Sequence, residues 1–310
     1  MGKRIAIAVA LMISLVALGQ GVYWLLLEEP QETTSVSTTK AQPEQQQRIE
    51  VRSIEGKVER QGEGSGWVAL RQGERIKPRE PIRTDRSGRA VLDVGEAATV
   101  TVESQSQFSV QEIAPTAARV RIDVGRIGAV VHGRGGTTLR VESKGSDMVA
   151  ETDRGEFNVL ATGNGQVSVA ARKGRVRLSA GGKTVEVVAG QQSLVQPELP
   201  PGQPESIPTT LFLKVTAPTK HVQRKKQTTI SGRSAPGAVI SVNGVRVESD
   251  LSGEFQAAVT LNEGKNQIEV VAEDVSGNRE VAEVPMITVK SRVSDVRSEA
   301  AQWGSRTEQD

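Results

Sequence analysis

The chain of 310 residues contains no cysteine, so it can form no disulfide framework, no thiolate nucleophile and no cysteine zinc site. Any exported domain must therefore stand on its core alone. Histidine is almost as scarce. His132 and His221 lie far apart, neither within a recognisable metal or triad spacing, so both read as solvated loop residues and no catalytic residue or cofactor is assigned. Aromatic residues make up only 3% of the chain. Charge of one sign is also lacking: 39 basic against 37 acidic side chains leave a net +2, a mixed surface without a nucleic-acid footprint. The basic cluster Arg224-Lys225-Lys226 has no flanking aromatics and reads as a solvated loop. The glycine-rich run at 133–136 lacks the strand–loop–helix setting of a phosphate loop.

Long hydrophobic runs are absent but for one. Residues 5–27, from Ile5 to Leu27, carry no charge. As a helix they would extend about 34 Å, enough for a hydrocarbon core of roughly 30 Å. Lys3 and Arg4 precede the run and Glu28 and Glu29 follow it, which by the positive-inside rule leaves a short cytosolic stub and exports the rest. Tyr23 and Trp24 fall at the outer end, where amphipathic rings suit the headgroup layer. The expectation is a signal anchor, residues 1–27 with the stub, in the bacterial inner membrane with the bulk of the chain periplasmic. A cleaved signal peptide, with Ala17 and Gly19 before the cut, is the alternative. Residues 28–47 hold two prolines and little that is apolar, and read as a flexible tether.

From Arg48 the pattern changes to short alternating segments rich in Val, Thr and Gly. In RVRIDV, Val120, Ile122 and Val124 point one way and Arg119, Arg121 and Asp123 the other, the period of a half-buried strand. Further strands are expected at 157–160, 166–171, 175–179 and 183–188, separated by turns at Gly163-Asn164-Gly165, Lys173-Gly174 and Gly181-Gly182. Trp67 is expected as a core anchor, with a ligand-facing ring as the sharper alternative. Residues 197–210 hold five prolines and are expected as a semi-rigid spacer. In 211–290, Asn243-Gly244 between valine-rich strands is a strong hairpin signal, and turns at 250–253 and 264–266 give the strand spacing of a β-sandwich. Phe212 and Phe255 are placed where strands should point inward. Residues 291–310 read as a tail in which Trp303 is a possible partner contact.

Two families are resembled. Ile54-Glu55-Gly56-Lys57-Val58-Glu59, Trp67-Val68-Ala69-Leu70, Gly73-Glu74-Arg75-Ile76, Ile82-Arg83-Thr84 and Gly88-Arg89-Ala90-Val91-Leu92 look like the opening of a FecR domain. Gly125-Arg126-Ile127, Gly165-Gln166-Val167, Lys173-Gly174-Arg175-Val176 and Ala189-Gly190-Gln191 continue the likeness. Against the family's late Arg-Gly-Thr-x-Phe segment, this chain has Arg154-Gly155-Glu156-Phe157, one residue short. The resemblance covers about 49–195. In the second domain, Pro236-Gly237-Ala238, Val242-Asn243-Gly244, Gly253-Glu254-Phe255 and Gly277-Asn278 are similar to bacterial Ig-like modules, including accessory domains of secreted glycosidases.

The expected fold class is mainly β: an N-terminal single transmembrane helix, then a FecR-type all-β domain (48–196) and an Ig-like β-sandwich (211–290) joined by a Pro-rich linker. The expected function is that of a membrane-anchored, non-enzymatic cell-envelope protein. Its partners are the inner membrane, through the N-terminal helix, and an envelope protein or cell-wall polymer, with no nucleic acid. The FecR resemblance implies a periplasmic sensor or regulator as an alternative, although the few residues before the anchor are too short to bind a sigma factor. A carbohydrate-binding accessory role is a further alternative. Asp250, Asp274 and Asn278 are weak calcium candidates, since loop oxygens at a sandwich end can hold a hard cation; turn capping is the simpler reading.

Overall fold

In the computed structural model, residues 48–290 are described, apart from 63, 134, 135, 219, 220 and 248. The expected anchor 5–27 with Ile5, Tyr23, Trp24 and Leu27, the tether, and the tail with Trp303 lie outside the described residues. Among the described residues no helix is long and apolar enough to cross a membrane, and every regular element is a strand.

The first domain holds β1 (Ile49–Glu55), β2 (Val58–Gln61), β3 (Trp67–Ala69), β4 (Arg75–Ile76), β5 (Ile82–Thr84), β6 (Arg89–Val94), β7 (Ala98–Val102) and β8 (Gln107–Ala114). It continues with β9 (Ala117–Val131), β10 (Thr138–Ser143), β11 (Val149–Thr152), β12 (Gly155–Ala161), β13 (Val167–Ala180), β14 (Lys183–Val188), β15 (Gln191–Val195) and β16 (Glu205–Ser206). Hydrogen bonds join all of them into one network that doubles over into two layers. One layer runs β16-β15-β13-β12-β9-β7-β6-β1-β4. The other runs β14-β13-β11-β10-β9-β8-β5-β2-β3.

Two long strands, β9 and β13, belong to both layers, and their sequences show how. In β9 the core residues are Ala118, Val120 and Ile122, then Ile127, Ala129 and Val131. The inward parity changes from even to odd between them. In β13, Val167, Val169 and Ala171 give way to Val176, Leu178 and Ala180, the same change in reverse. A strand that changes layer must present its opposite face to keep apolar side chains inside. The parity changes at Gly125 and Gly174, whose φ values of 103° and 74° suit glycine. A Cβ on Gly125 would lie 2.2 Å from Ser106 Oγ, and one on Gly174 2.7 Å from the Arg154 carbonyl. Lys173-Gly174 is therefore a corner within one strand, where the sequence suggested a turn between two. The segment Arg154-Gly155-Glu156-Phe157 packs on this corner: Gly155 pairs with Gly174, and Phe157 is fully buried in the core.

The proline-rich stretch 197–210 opens on a turn, with Leu199 N donating to Gln196 O at 3.1 Å and Glu198 at a φ of 60°, and then lies back along the first domain. Gly202 N donates to Leu194 O, Ser193 Oγ to Gly202 O, and Ile207 N to Gly190 O, at 2.9, 2.8 and 2.9 Å.

The second domain is a sandwich of β17 (Leu213–Thr216), β19 (Gln227–Ser234) and β22 (Glu254–Thr260) against β18 (Val222–Gln223), β24 (Arg279–Val289), β23 (Gly264–Glu273), β20 (Val239–Val242) and β21 (Val245–Val247). Its own core includes Ile230, Ile240, Phe255, Ile268, Val270 and Ile287. The β20–β21 turn is Asn243-Gly244 with φ of 48° and 71°, the left-handed pair a two-residue hairpin requires. Phe255 is buried as expected, whereas Phe212 is 52% exposed because it alternates with Leu211 and Leu213, which face the core. The described residues, 48–290, fall within one compact unit.

Candidate functional site: the cleft beside Trp67

Trp67 does not join the core. It lies half-buried on β3, and the reason is strand alternation: Leu70 is core, so Val68 shares its side and Trp67 points out. Antiparallel pairing puts Trp67 opposite Gln61, and Glu59 opposite both Ala69 and Arg83, so Trp67, Glu59 and Arg83 share the outer face of their layer. Arg83 Cζ sits 4.1 Å from the Trp67 ring centroid, a cation–π contact. Arg83 is held in turn by Glu59, with Nη2 and Nε 2.7 and 2.8 Å from Oε2. Lys57 Nζ takes the other carboxylate oxygen at 3.2 Å. Hydrogen bonds from Arg83 and then Lys57 hold the Glu59 carboxyl below its ordinary range.

Beside the ring opens a cleft of about 490 Å³ lined by Arg60, Gly62, Gly66, Trp67, Val68, Arg75, Lys77 and Glu80. Arg60 is fixed by Glu80 at 2.6 Å and Glu74 at 3.5 Å, and the hydrogen bond to Glu80 raises its pKa. Glu80 also accepts from Lys77 N at 3.0 Å, closing the loop between β4 and β5. Arg75 is exposed and makes no ion pair within 4 Å among the described residues. The cleft thus runs along the edge at β3, with the Trp67 ring on the outer side of the strand and the exposed Val68 on the side shared by Arg60 and Ile82. The alternation of Trp67 against Leu70 carried the signal for an outward ring; the neighbourhood of Arg83, Arg75 and Glu80 needed the strand pairing.

The calcium candidates act within turns. Asp250 Oδ1 accepts from Ser252 N, Ser252 Oγ and Glu254 N at 2.9, 2.7 and 2.8 Å, and the bond from Ser252 leads the causes that lower its pKa. Asp274 Oδ1 accepts from Ser276 N and Asn278 N, both at 2.9 Å, and its Oδ2 from Asn278 Nδ2 at 2.8 Å. Asp274 and Asn278 are thus brought together, while Asp250 serves a different turn. No group of three or more His, Asp or Glu placed to hold a metal ion occurs among the described residues. His132 and His221 are both exposed, and His132 Nε2 lies 3.2 Å from Thr99 Oγ1.

The seam between the two domains had no counterpart among the sequence expectations. Side chains of the first domain donate to main-chain carbonyls in turns of the second. Gln105 Nε2 reaches Gly244 O at 2.9 Å, Asn158 Nδ2 reaches Val275 O at 3.0 Å, Asn164 Nδ2 reaches Ser249 O at 2.5 Å and Arg172 Nη2 reaches Ser276 O at 2.5 Å. An apolar patch of Leu160, Ala170 and Val275, flanked by Ile207 and Val239, closes the middle.

The family model described as glucodextranase, domain B, matches residues 212–295, the segment of the sandwich. No curated protein matches the chain. Two solved structures of proteins from Parabacteroides distasonis, provisionally assigned as anti-sigma factors, are similar to it. One is 15% identical over 41% of this chain and 59% of that chain, with a TM-score of 0.36. The other is 9% identical over 59% of this chain and 85% of that one, with a TM-score of 0.38. Fibronectin(III)-like modules of CbhA from Clostridium thermocellum are 15% identical over 66% of this chain and 100% of that one, with a TM-score of 0.23. At TM-scores this low the likenesses carry no argument for fold or function.

Proposed function

We propose that the protein is a non-enzymatic cell-envelope binding protein, held at the bacterial inner membrane by residues 5–27, whose two extracytoplasmic β domains act together on a protein or a cell-wall polymer. The observation that supports binding most directly is the Trp67 ring, fixed by Arg83 at 4.1 Å and left open to a cleft. Placing a large aromatic outside the core of a domain so short of them forgoes burial that would stabilise the fold. An exposed, oriented ring of this kind suits a recognition surface. The main-chain seam supports joint action of the two domains.

The test is recovery of partners from intact envelopes by crosslinking, together with sedimentation of the protein with purified cell wall. Recovery of neither a wall polymer nor an envelope protein would sink the proposal. Protease added to spheroplasts should remove both β domains and leave a small anchored stub; full protection would overturn the orientation.

A second reading is a FecR-like regulator of transmembrane signalling, favoured by the residue likeness across 49–195. Altered transcription after deletion of the gene would favour it. A third, a carbohydrate-binding accessory protein, is favoured by the glucodextranase domain B match over 212–295; binding of neutral α-glucan by the sandwich would support it.

A further inference from the structure

We propose that one end of the outer face of the five-stranded sheet docks on an anionic phospholipid surface. Its cations meet the headgroup phosphates, and the exposed Val222 and Met286 enter the layer beneath. This contact is separate from the Trp67 ring. Strand pairing assembles the patch from three segments of the chain. Val222 on β18 lies beside Thr288 on β24, and Thr288 lies opposite Lys265 on β23. The hydrogen bond from Lys290 N to Gln223 O, 2.9 Å, carries that register on, so Arg224 and Lys290 are neighbours. Ile287 and Val289 belong to the core of the sandwich. Alternation therefore turns Met286, Thr288 and Lys290 outward, and Val222 and Arg224 with them.

The cations of this face are not compensated. Arg224, Lys265 and Lys290 are exposed and form no ion pair within 4 Å among the described residues. Lys226 differs, since Glu263 neutralises it at 2.9 Å. The carboxylates of Glu269 and Glu283 stand further along the same face, beyond the bulge between Asn266 and Ile268. Like charges on neighbouring strands repel, so keeping these cations together costs stability unless something outside the chain neutralises them. Sequence shows only the run Arg224-Lys225-Lys226; Lys265 and Lys290 join it through the pairing of β18, β24 and β23.

The apolar neighbours choose the partner. Val222 is 54% exposed and Met286 47%, both beside these cations. A lipid surface satisfies both kinds of side chain. Phosphates take the guanidinium and ammonium groups, whose long stems reach the headgroup layer, and acyl chains take the apolar groups. A soluble acidic polypeptide would neutralise the cations and leave Val222 and Met286 in water.

The chain has no cysteine, so Met286→Cys places a single environment-sensitive fluorophore on this face. The full chain, in phosphatidylcholine nanodiscs, is titrated with vesicles of phosphatidylcholine alone or mixed equally with phosphatidylglycerol. The mixed vesicles should raise the emission and shift it to the blue, and the neutral ones should not. The same label at Val188→Cys, exposed in the first domain, should not respond. Lys265→Gln and Lys290→Gln should each weaken the vesicle affinity about fivefold, and about 1 M salt should abolish it. Both lysines are exposed, and thermal melting checks that the variants fold. No response to the anionic vesicles, or an equal response to neutral ones or at Val188→Cys, would overturn the inference. Undiminished affinity in a folded Lys265→Gln, Lys290→Gln double variant would do the same. Poly-glutamate that gives the same emission change and blocks the vesicles would assign the face to an acidic polypeptide instead. Partner recovery from envelopes tests the binding reading separately, so either can fail alone.

Discussion

Arg126 of the first domain and Glu273 of the second form an ion pair across the seam, Nη2 to Oε1 at 2.5 Å, with Arg126 the more enclosed of the two at 18% exposure. The pair stands beside a set of side-chain to main-chain bonds and an apolar patch. From these contacts the two domains are expected to unfold together.

A double-mutant cycle on Arg126→Ala and Glu273→Ala should return a coupling of about 1 kcal/mol, at the upper end for partly exposed pairs, measured by urea unfolding. A coupling indistinguishable from zero would mean the pair is incidental to the seam.

Val275 is 2% exposed and packs with Leu160 and Ala170 at the centre of that seam. Val275→Asp would place an unpaired carboxylate in an apolar contact, a costly change. The single unfolding transition expected of the native chain should then separate into two, with faster proteolysis within 197–210. A single unshifted transition would show that the patch does not couple the domains.

Glu59 titrates below its ordinary value of 4.5 because Arg83 and Lys57 favour the carboxylate. The sign follows from linkage: a depressed folded-state pKa stabilises the fold above the unfolded value, and that stabilisation is lost as pH falls through the folded value. Trp67 emission, read in a chain with Trp24→Phe and Trp303→Phe, should hold steady from neutral pH down to 4.5 and change only in more acid solution. Glu59→Gln should remove that acid transition. A change centred above 4.5 would contradict the clamp.

Gly125 and Gly145 both have positive φ, 103° and 78°, but only Gly125 has neighbours within 4 Å of an added Cβ. Gly145→Ala should cost about 1–2 kcal/mol from backbone conformation alone. Gly125→Ala should cost clearly more, since Ser106 would have to move and the layer-changing corner with it. Equal costs in denaturant titrations would mean that the corner tolerates a side chain.

Asp250 is a turn cap with three donors on one oxygen, so Asp250→Ala should lower the melting temperature of the sandwich. Capping alone predicts the same melting temperature in calcium and in chelator. A rise in calcium that Asp250→Ala or Asp274→Ala abolishes would restore the metal reading.

Strand character was legible from alternation, as in Val120-Arg121-Ile122, because inward and outward faces have a period of two whatever lies across the sheet. Asn243-Gly244 fixed a hairpin for an equally local reason: both residues tolerate positive φ. The absence of cysteine settled that the domains are held without disulfides. Tertiary structure decided the rest. Only the pairing shows that 166–171 and 175–179 are one strand bent at Gly174, because a glycine at a corner and a glycine in a turn look alike in sequence. The seam was hidden for a different reason. Gln105, Asn158, Asn164 and Arg172 find backbone carbonyls, which every residue carries, so no residue type in 243–276 marks the acceptors. Trp67 lies between these cases: its neighbours in sequence turn the ring outward, and the approach of Arg83 from β5 gives that ring a fixed orientation.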